Sequence, residues 1–291
     1  MLTLKEVSLR KGKRTYLDEV SFTAEAGRIT AIVGTRSAGR TELVRIIMGL
    51  IAADEGTIEL EDFELDFGDR QNFGYLPAER GGYPNMRVLD QIVYLARLHG
   101  ITLGAAERNA LTLLGHLELA DRGYAPLKNL SGAEVARVDI AATLAADPDV
   151  VVIDDAFAGL DAASLRLVTS LLRAHASSGV PVILATDDWE AAQTFADDVI
   201  VLGQGKVTVS GSVEKLLGDP RYRVETTDTE AAASALRSRT GISDVKTAGR
   251  EGVSFRADDA KTAAAAVAEL KSVKNFESVR PTLAEQYKEA L

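Results

Sequence analysis

The stretch that decides the fold is Ile29-Thr30-Ala31-Ile32-Val33-Gly34-Thr35-Arg36-Ser37-Ala38-Gly39-Arg40-Thr41. An apolar run suited to a buried strand ends at Gly34, and small residues lead to Gly39. An apolar-periodic segment with Leu43, Ile46, Ile47 and Leu50 follows, at helical spacing. Strand, glycine loop and helix in this order fit the phosphate-loop pattern G-x-x-x-x-G-[K]-[ST], except that Arg40 stands where lysine belongs. In such a loop, backbone N–H groups and the helix N-terminus cradle phosphates. The basic side chain neutralises them, and a hydroxyl, here that of Thr41, binds Mg²⁺. A plain glycine turn before a helix shares the pattern once the lysine is dropped.

Further along, Val150-Val151-Val152-Ile153-Asp154-Asp155 reads as a buried strand presenting two acids at its C-terminal end, where open parallel sheets bind ligands. Asp154 there suits water-mediated Mg²⁺ binding, although a solvated Asp-Asp turn reads the same way. Leu130-Ser131-Gly132-Ala133-Glu134 precedes a helical stretch through Ala146 and offers an anion Ser131 Oγ and backbone N–H groups, or is an ordinary serine cap. Pro148 marks the end of that helix. Helix Ser164 to Ala176 and strand Val182 to Ala185 repeat the alternation of a parallel sheet flanked by helices. Residues 2–33 and 57–76 read as short strands, and Leu89–Leu98 and Ala105–Leu119 as amphipathic helices. Beyond Asp219-Pro220 the chain turns alanine-rich (Ala231–Ala235, Ala263–Ala266) and reads as a small α+β tail.

Composition narrows the classes. With 33 Lys+Arg against 43 Asp+Glu the net charge is −10, the wrong sign for gripping a phosphate backbone, so no nucleic-acid partner is expected. The chain has no cysteine and 3 histidines, which excludes thiolate chemistry and disfavours an imidazole metal cluster. No apolar run has spanning length, and the N-terminus alternates apolar and polar residues, so a cytoplasmic location is expected.

Taken together and in order, these segments resemble the ATP-binding subunit of ATP-binding cassette (ABC) transporters over residues 1–215. Gly34–Thr41 is similar to that family's Walker A, Leu130-Ser131-Gly132 to its signature, and Ile153-Asp154-Asp155 to Walker B. Gly159-Leu160-Asp161 is similar to the D-loop, and Thr186-Asp187-Asp188 falls at the switch position. Gly74-Tyr75-Leu76-Pro77-Ala78-Glu79-Arg80-Gly81-Gly82-Tyr83-Pro84 resembles the Q-loop region of ABC-2-type exporter subunits, and Arg280-Pro281-Thr282-Leu283 a stretch near the end of their C-terminal domain. The resemblance implies an α/β fold. An ABC-type P-loop domain, mixed sheet plus a helical subdomain at about 85–146, would occupy 1–218, and a small α+β accessory domain 219–291. It also implies ATP and Mg²⁺ as cofactors. Gly34, Ser37, Ala38, Gly39, Arg40 and Thr41 would bind phosphates, Thr41 and Asp154 the metal, and Ser131 and Gly132 the nucleotide of a paired chain.

Departures from the family pattern concentrate in one half of the site. Arg40 replaces the lysine, Ala78 the Q-loop glutamine, Asp155 the catalytic glutamate, and Asp187 the switch histidine, exchanging a donor for an acceptor. Lys11-Gly12 stands where the family has an adenine-stacking aromatic, and Tyr16 is not assigned to that role. Ser131 and Gly132 remain. The expectation is a degenerate ATP-binding subunit of an exporter, paired with a competent second ABC ATPase subunit. It would lie peripherally on the inner face of the cell membrane, touching it only through permease subunits. The alternatives are a self-sufficient homodimeric ATPase and a nucleotide-free scaffold.

Overall fold

The structure, a computed structural model, describes all residues except Arg36, Phe67, Arg80, Ala156, Asp219, 249–251 and 288–291. Two compact units divide the chain, one holding Met1–Val213 and the other Glu214–Gln286.

The first unit runs β1 (Leu2–Lys11), β2 (Arg14–Ala24), β3 (Ile29–Val33), α1 (Arg40–Ile47), β4 (Glu55–Leu60), β5 (Phe63–Glu64) and β6 (Phe73–Leu76). It continues through α2 (Val88–Leu98), α3 (Leu103–His116), α4 (Gly132–Leu144), β7 (Val150–Asp154), α5 (Ala162–Ala176), β8 (Val182–Thr186), α6 (Trp189–Phe195), β9 (Asp198–Gly203) and β10 (Lys206–Ser212). Six strands form a sheet in the order β10-β9-β3-β8-β7-β6, parallel except for β10. Every residue of β3, β7 and β8 is buried, which is why these strands read as unbroken apolar runs: both faces of the sheet are covered. A second, antiparallel sheet has the order β2-β1-β4-β5. Between the sheets lies α1, its Leu43, Val44, Ile46 and Ile47 joining Leu2, Leu4, Leu17, Ile32, Val152 and Ile183 in one core. Truncating one such fully buried leucine costs about 2–5 kcal/mol, so α1 is fixed as firmly as the strands it follows.

The periodicity placed Leu50 on this helix, and the structure corrects that. α1 ends at Ile47 in a Schellman motif: Gly49, at φ 70°, donates to Ile46 O at 2.9 Å, and Leu50 N reaches back to Arg45 O at 2.8 Å. Leu50 is thrown outward and is exposed.

The second unit comprises α7 (Val213–Leu217), whose first residue belongs to the first unit, then β11 (Arg221–Thr226), α8 (Thr229–Arg237), β12 (Ile242–Ala248), β13 (Gly252–Ala257), α9 (Ala260–Ala268), β14 (Val273–Val279) and α10 (Leu283–Tyr287), whose last residue is likewise assigned to the first unit. Its four strands form an antiparallel sheet in the order β12-β13-β11-β14, a split β-α-β arrangement of the ferredoxin-like kind. The alanine runs now have a cause. Ala232, Ala233, Ala263 and Ala266 are the helix residues that meet Tyr222, Val224, Val253 and Phe255, and their small side chains let α8 and α9 lie close on the sheet.

Candidate functional site

The parallel order brings three strand ends side by side. Gly34 follows β3, Asp154 closes β7, and Thr186 closes β8 with Asp187 next after it, all at the C-terminal edge of one sheet. The loop from Gly34 to Gly39 is clamped in place by close backbone approaches. A Cβ on Gly34 would lie 2.4 Å from Leu202 O, and one on Gly39 would lie 2.5 Å from Tyr16 O and 2.9 Å from Leu17 Cδ2. Gly39 also has φ 98°, a left-handed conformation that only glycine adopts without strain. Gly205, at φ 82°, sits equally close to Tyr16 O and donates to Ala38 O at 3.1 Å. Thus β2 and the β9–β10 turn together fix where α1 begins. The importance of Tyr16, Leu17 and Gly205 was not drawn from the sequence. Gln204-Gly205 is a turn signal there, but nothing local says which loop it supports.

Within the loop, Ser37 is exposed, whereas the Ala38 side chain is buried in the core and its N–H donates to Thr35 O at 3.0 Å. Arg40 and Thr41 are the first two residues of α1, whose N-terminus has no side-chain cap. Its first-turn N–H groups therefore lack the serine or aspartate oxygen that usually satisfies them.

Next to this N-terminus lies Asp154, only 4% exposed, with Oδ2 buried and without a hydrogen-bond partner. Burial pushes its carboxyl above the ordinary aspartate value, with the Asp155 charge acting in the same direction. The Thr41 hydroxyl, donating to it, and the Arg40 charge pull the other way. An orphan carboxylate oxygen beside a hydroxyl is the oxygen donor set that suits Mg²⁺. The uncapped helix end with Arg40 suits a phosphate. The residues present therefore fit both groups.

Asp155 and Asp187 differ in setting. Asp155 has φ 54° and accepts from Ala158 N at 3.2 Å through its carbonyl, opening the turn that leads to Asp161, the N-cap of α5. Asp187 is half-exposed, and its Oδ2 lies 3.9 Å from Arg40 Nη2. Beside it, Asp188 caps α6 through Ala191 N at 2.9 Å.

Ser131 and Gly132 stand apart from this cluster, exposed at the start of α4. The Ser131 hydroxyl accepts from Glu134 N at 3.3 Å while the Glu134 carboxylate accepts from Ser131 N at 2.8 Å, a reciprocal capping box. Arg122 Nε adds a third contact at 3.0 Å to Glu134 Oε1. The S-x-x-E spacing of Ser131 and Glu134 is the sequence signal for this box. Ala78 is exposed after β6, and the segment beyond it is fastened by Gln91, whose Oε1 accepts from Tyr83 N at 2.8 Å. The Tyr16 ring is flanked by Arg14, 4.5 Å from its centroid, and Lys11 at 5.5 Å. Among the described residues no helix is long and apolar enough to cross a membrane.

Residues 17–158 match the family described as ABC transporter. The Nod factor export ATP-binding protein I of Ralstonia nicotianae is 27% identical over 220 residues, covering 75% of this chain and 68% of the relative. A daunorubicin resistance ATP-binding protein of Streptomyces coeruleorubidus is 29% identical over 255 residues (83% and 79%). A methionine import ATP-binding protein of Corynebacterium jeikeium is 29% identical over 239 residues (79% and 64%). Among solved structures, the ATP-binding subunit of an ABC transporter superposes with a TM-score of 0.67 at 23% identity, over 74% of this chain and 91% of that one. The shared fold, the matched segment and these relatives agree: the chain carries an ABC transporter ATP-binding domain.

Proposed function

We propose that this chain is a degenerate ATP-binding subunit of an ABC exporter, pairing with a competent ATPase subunit and docked on membrane permease chains. In this reading Gly34, Ser37, Ala38, Gly39, Arg40 and Thr41 hold the phosphates, the last two through charge and hydroxyl, and Thr41 and Asp154 hold Mg²⁺. Mg-ATP would supply the polyphosphate and the metal that these residues hold. Ser131 and Gly132 present the α4 N-terminus to the nucleotide of the paired chain.

The observation that carries the reading is the contrast within one site. On the binding side the glycine loop, a basic residue at 40 and the Thr41 hydroxyl beside a buried Asp154 are all present. The hydrolytic side is not: Asp187 places a carboxylate 3.9 Å from the charge meant for phosphate. Asp155 is also a methylene shorter than the family's glutamate, and misplacement of about 1 Å can cost on the order of 100-fold in rate. Phosphoryl transfer rests on positioning and electrostatics, so these changes weigh against efficient turnover here. The exporter assignment draws support from the relatives named for export and for drug resistance. A relative named for import matches as well, and the Gly74–Pro84 resemblance is what favours export.

The test is to tag the full chain in its own host, extract it gently from membranes and identify the copurifying subunits with their ratios. A second, different ABC ATPase at equal ratio, with permease chains, is the expected result. Recovery of only this chain with a permease favours the homodimer, and recovery without any membrane protein favours the scaffold.

A further inference from the structure

Two of the residues that depart from the family pattern face each other. Arg40, the first residue of α1, carries the fixed positive charge of the phosphate loop, and its side chain is 11% exposed. Asp187, following β8, is 48% exposed in its side chain and brings Oδ2 to 3.9 Å from Arg40 Nη2. A guanidinium is a planar fork that pairs carboxylates and phosphates through the same N–H groups. A carboxylate already at that fork and an incoming phosphate therefore compete for it.

We propose that Asp187 is a built-in competitor for the phosphate position: without nucleotide its carboxylate is a counter-ion to Arg40, and a polyphosphate engages Arg40 only by displacing it. The inference rests on reading Gly34–Thr41 as a nucleotide site. Arg40 and Asp187 then act as a pair, not as two separate losses. Asp187 is a counter-ion at Arg40, and affinity is lowered by the competition. A half-exposed pair is screened, so the effect is modest.

The experiment is calorimetric titration of the full chain with Mg-ATP, at about 0.1 M salt where the Debye length is roughly 10 Å. The chains compared are wild type, Asp187→Asn, Arg40→Ala and the double variant. Competition predicts that Asp187→Asn tightens binding by about 3- to 10-fold in the Arg40 chain and by less than about 2-fold in the Arg40→Ala background, since the cycle isolates the pair. Asp187→Ser gives the same comparison should the asparagine variant fold poorly. An equal gain in both backgrounds overturns the proposal by making Asp187 a simple repulsive charge, and unchanged or weaker binding by Asp187→Asn overturns it too. Absence of Mg-ATP binding in all four chains removes the nucleotide reading itself and the proposal with it.

Discussion

Thr41 and Asp154 meet where the start of α1 faces the end of β7, with the threonine hydroxyl donating to a carboxylate that is 4% exposed and whose Oδ2 has no hydrogen-bond partner. A carboxylate in that state costs the fold stability. Its retention at the edge of the parallel sheet is understandable if the orphan oxygen has a ligand to meet.

Asp154→Asn is therefore expected to raise stability while removing Mg-dependent nucleotide binding. Burial raises the folded pKa of Asp154, so its charge is destabilising above that pKa, and the burden lifts as the pH falls through it. At pH 7 the gain should be about 1 kcal/mol, roughly 2–4 °C in Tm. Thermal unfolding and ATP titration with and without Mg²⁺ check both halves. A lower Tm would show that the carboxylate is structural.

Gly39 and Gly12 both have positive φ, at 98° and 63°, but differ in what surrounds them. A Cβ on Gly12 meets nothing within 4 Å, whereas one on Gly39 meets Tyr16 O at 2.5 Å. Gly12→Ala should cost about 1 kcal/mol, the left-handed strain alone. Gly39→Ala adds displacement of the loop from β2, so it should cost more than about 2 kcal/mol and weaken Mg-ATP binding at least about 10-fold. Urea unfolding and titration of both variants decide this. Equal costs would mean that the clamp on the loop is slack.

Glu134→Ala removes the side-chain half of the reciprocal cap on α4, the carboxylate that accepts from Ser131 N, and should cost about 1 kcal/mol at pH 7. The Ser131 N–H and hydroxyl hold the Glu134 carboxyl below its ordinary value, with Arg122 helping. A depressed folded pKa means the stabilisation is fully present above the unfolded value and is lost as the pH falls through the folded one. The difference in urea midpoint between wild type and variant should accordingly close with acidification below the ordinary carboxylate range. A difference that persists unchanged would assign the cost to packing.

What could be read in advance follows from how local each signal is. The Gly34–Thr41 loop and the Val150–Asp155 strand were legible because burial on both faces and glycine spacing leave marks within a few residues. Gly49 also carried a mark, and apolar periodicity overrode it, so Leu50 was placed on the wrong side of a helix end. The order β12-β13-β11-β14 was not legible, because nothing in the alanine-rich tail states which strand pairs with which. Arg40 and Asp187 were each read as a departure, but their proximity depends on β3 and β8 being neighbours, which only the folded sheet supplies. The same holds for Tyr16, whose carbonyl rather than its ring supports the loop at Gly39.

We propose that this chain lends α4 to a partner's nucleotide while its own site turns over little. Steady-state ATPase of the assembled complex, measured for Ser131→Arg and Asp155→Ala in this chain alone, tests it most directly. Ser131→Arg should reduce turnover at least about 100-fold, whereas Asp155→Ala should leave it within about twofold. Equal loss from the two substitutions would contradict it.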